Sequence, residues 1–125
     1  MTSKTNLLRQ VHPSFIQAGK ITSQVFKPTT KDENKLSVYN GDRIKPEDAF
    51  EHYCALPRCR SVGILAVTKG ECDIQKVPVH EDGIPFPEHC FMNFEKFSKK
   101  EIDKIAKFLK IFAEKRGWLY QEKNV

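Results

Sequence analysis

The sequence predicts an α+β fold: a mixed, mainly antiparallel sheet with a short middle helix and a C-terminal amphipathic helix packed on one face. Three observations predict it. Ser61-Val62-Gly63-Ile64-Leu65-Ala66-Val67-Thr68 is the most apolar run in the chain and reads as a central strand buried on both faces. Ile102, Ile105, Ala106, Leu109, Phe112 and Ala113 fall on one stripe at the helical repeat, with Lys100, Lys104, Lys107 and Lys110 over much of the remainder. Between these landmarks, short β-rich runs are punctuated by proline and glycine. The chain has 125 residues, 39% of them apolar, so residues 1–125 suit one domain whose core needs no staples, with 1–6 and 120–125 expected to fray.

Leu7–Val11 is the first strand candidate, stopped by Pro13, which has no N–H for a ladder. Ser14–Ala18 suits a single helical turn ended by Gly19, and Ile21–Phe26 alternates with β-branched content, which predicts a strand. Lys27–Lys35 is a polar loop, Leu36–Tyr39 a strand, and Asn40-Gly41-Asp42 a turn. Pro46-Glu47-Asp48 opens a helix, with proline at the first position and two acids against the positive end of the dipole; Pro57 closes it. After the Ser61–Thr68 run, Ile74–Val79 predicts a strand limited by Pro78, and His80–Glu88 a loop. Cys90–Phe94 predicts another strand. Ser98 and Glu101 then have capping-box spacing for the last helix, and Gly117 stands where that helix ends.

Composition narrows the functional classes. No stretch approaches the roughly 18 apolar residues of a membrane span, and the first six residues, Met-Thr-Ser-Lys-Thr-Asn, lack a secretory apolar core. The expectation is a cytoplasmic protein with no membrane partner and with reduced thiols at Cys54, Cys59, Cys72 and Cys90. These cysteines with His52 and His89 could complete a zinc site in space, but isolated cysteines are commonly buried structural thiols, which is the expectation, so neither metal nor cofactor is assigned. Of the net charge of +5, most belongs to residues 98–125, which hold eight Lys/Arg against four Asp/Glu. Phosphate-loop, dinucleotide, zinc-protease, nucleophile-elbow and EF-hand motifs do not occur.

Two groups of residues exceed what folding needs, and a third candidate lies on the last helix. Arg9, His12, Ser14, Thr22, Ser23 and Gln24 bring a bidentate donor, an imidazole and hydroxyls to the first two predicted strands, a set suited to phosphate or ribose. Pro87-Glu88-His89-Cys90 joins a carboxylate, an imidazole and a thiol before a strand; alternation sends His89 and Cys90 to opposite faces, leaving His89 to face a pocket alone or Glu88 to share a side with Cys90. The third group is the lysine face of the last helix, Lys100, Lys104, Lys107 and Lys110, a surface for a protein partner or, more weakly, for nucleic acid.

The segments Val11–Ile16, Thr22–Pro28, Lys31–Glu33, Leu36–Tyr39, Gly63–Thr68 with Glu71-Cys72, and Pro87–His89 together resemble an uncharacterised family of small bacterial proteins. The resemblance spans most of the chain and carries no activity with it. A basic or histidine residue on the first strand, a hydroxyl on the second and a glutamate before a late strand are also similar to the ADP-ribosyltransferase layout. That similarity implies Arg9 or His12 binding a nicotinamide dinucleotide, Ser23 supporting it and Glu88 stabilising the developing ribosyl cation. The expected function is that of a small accessory module that associates with a protein partner, such as a component of a bacterial defence or toxin-type multi-gene system; the alternative is a nucleotide-using enzyme of ADP-ribosyltransferase-like type at Arg9, His12, Ser23 and Glu88.

Overall fold

The computed structural model describes residues 1–123; Asn124 and Val125, part of the end expected to fray, lie outside the described residues. Six strands form one sheet: β1 (Asn6–Gln10), β4 (Lys35–Asn40), β5 (Gly63–Thr68), β6 (Val79–His80), β7 (His89–Asn93) and β8 (Tyr120–Gln121). Their spatial order is β6-β7-β4-β1-β5-β8, and every neighbouring pair is antiparallel. A separate two-residue hairpin pairs β2 (Ile16–Gln17) with β3 (Lys20–Ile21). The helices are α1 (Pro46–Cys54), α2 (Lys69–Ile74) and α3 (Lys99–Arg116).

The α+β class and the α3 helix stand as the sequence predicts. Ser98 accepts from the Glu101 backbone N–H while the Glu101 carboxylate accepts from that of Ser98, satisfying two N–H groups at the helix start. Gly117 closes the helix at φ 82°, a backbone region that side chains with a Cβ resist. Ile102, Ile105, Ala106, Leu109 and Ala113 are buried along its inner stripe. They join Leu7, Val38, Leu65, Val67 and Met92 in the larger core cluster. On the opposite sheet face, Leu8, Tyr39, Ile64 and Ala66 meet Ala49 of α1 in a second cluster. The sheet is thus sandwiched, and β5 is buried on both faces.

Five expectations change. β5 is not the middle of the sheet: it lies between β1 and the short edge strand β8, and its two-sided burial comes from helices on both faces. Ile21–Phe26 is not a strand. Its start closes the hairpin, whose turn at Ala18 and Gly19 (φ 51° and 76°) fits the two positive-φ positions of a type I′ connection. Ser23–Phe26 is then a 3-10 turn, which lets the adjacent Val25 and Phe26 both bury, where a strand would send one outward.

The third change concerns Ile74–Val79: α2 runs over Lys69–Ile74 under a Thr68/Glu71 capping box with Cys72 as its buried anchor, leaving only Val79–His80 extended. The fourth concerns Ser14–Ala18, where a 3-10 turn over Pro13–Phe15 gives way to extended Ile16–Gln17 in place of one helical turn. The fifth concerns the ends. Thr5 is buried and donates to Asp42 (2.7 Å), the Met1 amino group lies 3.8 Å from Glu81, and Tyr120 and Gln121 pair with Ile64 and Gly63. No helix among the described residues is long and apolar enough to cross a membrane.

Candidate functional site

The site originates in an interrupted ladder. β1 pairs with β5 along all five of its residues, but its pairing with β4 stops after Leu7–Asn40 and Leu8–Tyr39. Continuing that register would set Gln10 against Ser37. Instead the Arg9 side chain bridges the seam: its Nε donates to the Val25 carbonyl (2.7 Å) and its Nη1 to the Ser37 carbonyl (3.0 Å). The guanidinium thus replaces a ladder donor and ties β4 to the 3-10 turn of Ser23–Phe26. Burial pushes its pKa down to about 10, against the opposing pull of Tyr53 and Asp32, so Arg9 stays a cation at neutral pH. It also lies 5.7 Å from the centre of the Phe15 ring.

Where the strands part, a cavity of about 190 Å³ opens on the α1 side of the sheet, lined chiefly by Leu8, Val38, Tyr39, Tyr53, Leu56 and Phe86. Its polar groups are Arg9, Gln10, Ser37 and His89. Gln10 is only 6% exposed; its Nε2 donates to the Ala49 carbonyl (3.0 Å), and its Oε1 is buried with no hydrogen-bond partner among the described residues. Such an orphaned acceptor is uncommon in a folded chain. One wall is aromatic. Phe86 stacks on Tyr39 with centroids 5.0 Å apart and meets His52 and His89 edge-on at 4.5 and 5.4 Å. Tyr39 Oη and His52 Nδ1 share a hydrogen bond of 2.8 Å, and burial raises the Tyr39 phenol well above its ordinary range, keeping it protonated.

At the rim stands a chain of three side chains. His89 Nδ1 is 2.6 Å from Asp82 Oδ1, and His89 Nε2 is 3.1 Å from Ser37 Oγ. The sheet register explains the second contact: Tyr39 faces His89 and Ser37 faces Phe91, so Ser37 and His89 are diagonal neighbours on one face. The loop explains the first. Gly83, at φ 61°, donates its N–H to the His89 carbonyl (3.1 Å), folding Asp82 back over the strand. Ser37 and His89 also border a second cavity, of about 330 Å³, shared with Lys31, Lys35, Asp82 and Phe91.

Of the residues singled out from sequence, Arg9 and His12 line a common cavity of about 290 Å³ with Gln10, Ser14, Phe15 and Tyr53. His12 Nδ1 accepts from the Ser14 backbone N–H (3.0 Å) and contacts its hydroxyl (2.8 Å). Ser23 starts the 3-10 turn. Glu88 is half-buried before β7, its carbonyl accepting from the Asn40 N–H (2.8 Å). Neither Ser23 nor Glu88 lines a cavity with Arg9 and His12. His89 faces the cavity side while Cys90 turns into the core.

Lys100, Lys104 and Lys107 are exposed, whereas Lys110 is half-buried and pairs with Glu114 (2.9 Å). Among the described residues no three His, Cys, Asp or Glu side chains gather as a metal site, and all four cysteines are free thiols. Sequence reasoning passed over Ser37, Asp82 and Gln10. The alternation in Leu36-Ser37-Val38-Tyr39 placed Ser37 beside Tyr39 on one face, but nothing local tied it to His89. Compared with protein-family models, with curated proteins and with solved structures, the chain gives no match in any of the three.

Proposed function

We propose that this chain is a binding domain for a compact, flat organic molecule that carries a hydrogen-bond donor and an acceptor. One observation carries this reading: the β1–β4 seam is bridged by a half-buried guanidinium beside the orphaned Gln10 Oε1, under an aromatic wall. With a turn of the Gln10 amide toward the cavity a ligand N–H or O–H would satisfy its Oε1, an oxygen would meet the remaining N–H groups of Arg9, and a ring would lie along Tyr39 and Phe86. Enclosed apolar walls with a few convergent polar groups are the common form of a small-molecule site.

Amide-resolved NMR titration with benzamide, benzoate and phenyl phosphate tests it. At least one probe is expected to shift resonances of β1, β4 and Phe86 together. Leu56→Trp, which fills the mouth from an exposed position, is expected to abolish those shifts. Shifts scattered over the surface, or unaffected by Leu56→Trp, would refute the reading.

A second reading concerns the outer face of α3, where Phe108 (42% exposed) and Ile111 (51% exposed) stand among Lys104, Lys107 and Lys115. Apolar anchors ringed by cations favour an acidic protein partner. Changing Lys100, Lys104, Lys107 and Lys110 together to Glu is expected to abolish association with such a partner while the fold is kept; association that survives the change excludes this face.

A further inference from the structure

We infer that Ser37 is a nucleophile, activated by His89 and positioned through Asp82, and that the cleft hydrolyses small carboxylic esters. The inference rests on the proposed cleft for the seat of its substrate, but the nucleophile stands on separate geometry. A Ser–His–Asp relay needs a carboxylate on one ring nitrogen, a hydroxyl on the other and an open approach to the hydroxyl. All three are present.

The Asp82 carboxylate accepts from His89 Nδ1 at 2.6 Å, which fixes the tautomer with a free lone pair on Nε2. The Ser37 hydroxyl donates to that lone pair at 3.1 Å, within reach for proton transfer. The imidazole is 12% exposed and largely covered, the Asp82 carboxylate is 29% exposed and reaches solvent, and Ser37 is an exposed residue between two cavities. Serine and histidine both sit on paired strands, a rigid mounting for a reacting pair.

The chemistry balances with water as the only co-reactant. Ser37 Oγ forms a bond to the ester carbonyl carbon as its proton passes to His89 Nε2. The tetrahedral intermediate collapses, the bond to the alcohol oxygen breaks, and His89 returns the proton to that oxygen. Water then attacks the acyl-serine with His89 as base, the Ser37–acyl bond breaks, and a carboxylic acid leaves with Ser37 restored. The charge that builds on the carbonyl oxygen needs a donor. We assign that role to Arg9, which lines the same cavity and whose Nη2 has no partner among the described residues. An apolar acyl group fits the 190 Å³ cavity, and a polar alcohol portion faces the 330 Å³ cavity, where Lys31 and Lys35 stand with Asp32 and Glu33.

The test is labelling of the folded chain with diisopropyl fluorophosphate, read by intact mass and peptide mapping. Here Ser37 Oγ bonds to phosphorus, fluoride leaves and the proton goes to His89. One adduct, on Ser37 and on no other serine, is expected, together with hydrolysis of p-nitrophenyl butyrate that Ser37→Ala abolishes. Asp82→Asn is expected to slow labelling on the order of 10⁴-fold and to remove the low-field Nδ1 proton resonance of His89. His89→Gln is expected to stop labelling; should that variant not fold, the site of wild-type labelling still decides.

No adduct on Ser37, or unchanged labelling in a folded His89→Gln protein, overturns the inference even where benzamide, benzoate or phenyl phosphate binds. Labelling confined to Ser37 without any cleft binding supports the nucleophile and removes the binding reading alone.

Discussion

Arg9 concentrates the logic of this molecule in one side chain. Its fork joins the Val25 and Ser37 carbonyls, which lie on elements that share no ladder there. Lysine offers a single ammonium and cannot hold both acceptors in that geometry. Arg9→Lys is expected to cost about 2 kcal/mol, the usual scale for hydrogen bonds to a charged group, measured by urea denaturation. Burial sorts the thiols in the same residue-by-residue way. It pushes Cys72 up to about 12 and Cys90 up to about 11, leaving both as core thiols, while Cys54 is exposed and Cys59 partly so. The thiolate is the reactive form. Ellman's reagent is therefore expected to modify Cys54 and Cys59 in the folded protein and all four cysteines only after denaturation; rapid native modification of Cys72 would contradict the buried α2 anchor.

Elements differ in how much of their fate is local. α3 carries its own instructions, with a cap, an apolar stripe and a terminal glycine inside twenty residues, and sequence alone set its limits. Leu109 is fully buried on that stripe. Leu109→Ala should destabilise the chain by about 3 kcal/mol, the lost transfer energy plus a cavity, visible as a lower denaturation midpoint with an unchanged slope. α2 carries the same capping box in Thr68 and Glu71, but it abuts the most apolar strand, and its last residue Ile74 with Val77 and Val79 just beyond mimics a strand.

The 3-10 turn at Ser23–Phe26 was hidden for a different reason. Its alternation is genuine, yet α3 rewards burial of two adjacent residues, and tertiary packing decided its conformation. The candidate site was the least legible part. Ser37 and His89 lie 52 residues apart and meet only through the β4–β7 register, while Asp82 reaches them through a folded-back loop. The chemistry of Arg9 and His89 is visible in the sequence; their neighbours follow only from the pairing of strands.

At the scale of the whole molecule, one ion pair links three elements. Arg116, the last residue of α3, sends Nη1 to the Ala66 carbonyl of β5 (2.8 Å) and grips the Glu71 carboxylate of α2 with both of its terminal nitrogens (3.0 and 2.8 Å). Burial pushes Glu71 upward, but the hydrogen bonds from Arg116 and Thr68, with the Arg116 charge, outweigh it and hold the carboxyl below the ordinary value of 4.5. The sign of the linkage follows. Around and below that value the unfolded chain binds a proton at Glu71 more readily than the folded one, so stability rises with pH through this window. The contribution is complete above pH 4.5 and is lost as pH falls through the depressed folded value. Replacing Arg116 with Met removes the cation while keeping an apolar stem of similar reach. The variant is expected to be less stable at pH 7 and to lose less of its remaining stability between pH 5 and pH 3 than the parent chain. Parallel urea denaturation series across that range measure the difference. Curves that stay equally far apart at every pH would mean that Arg116 acts through packing and its bond to Ala66, and that Glu71 does not sense its charge.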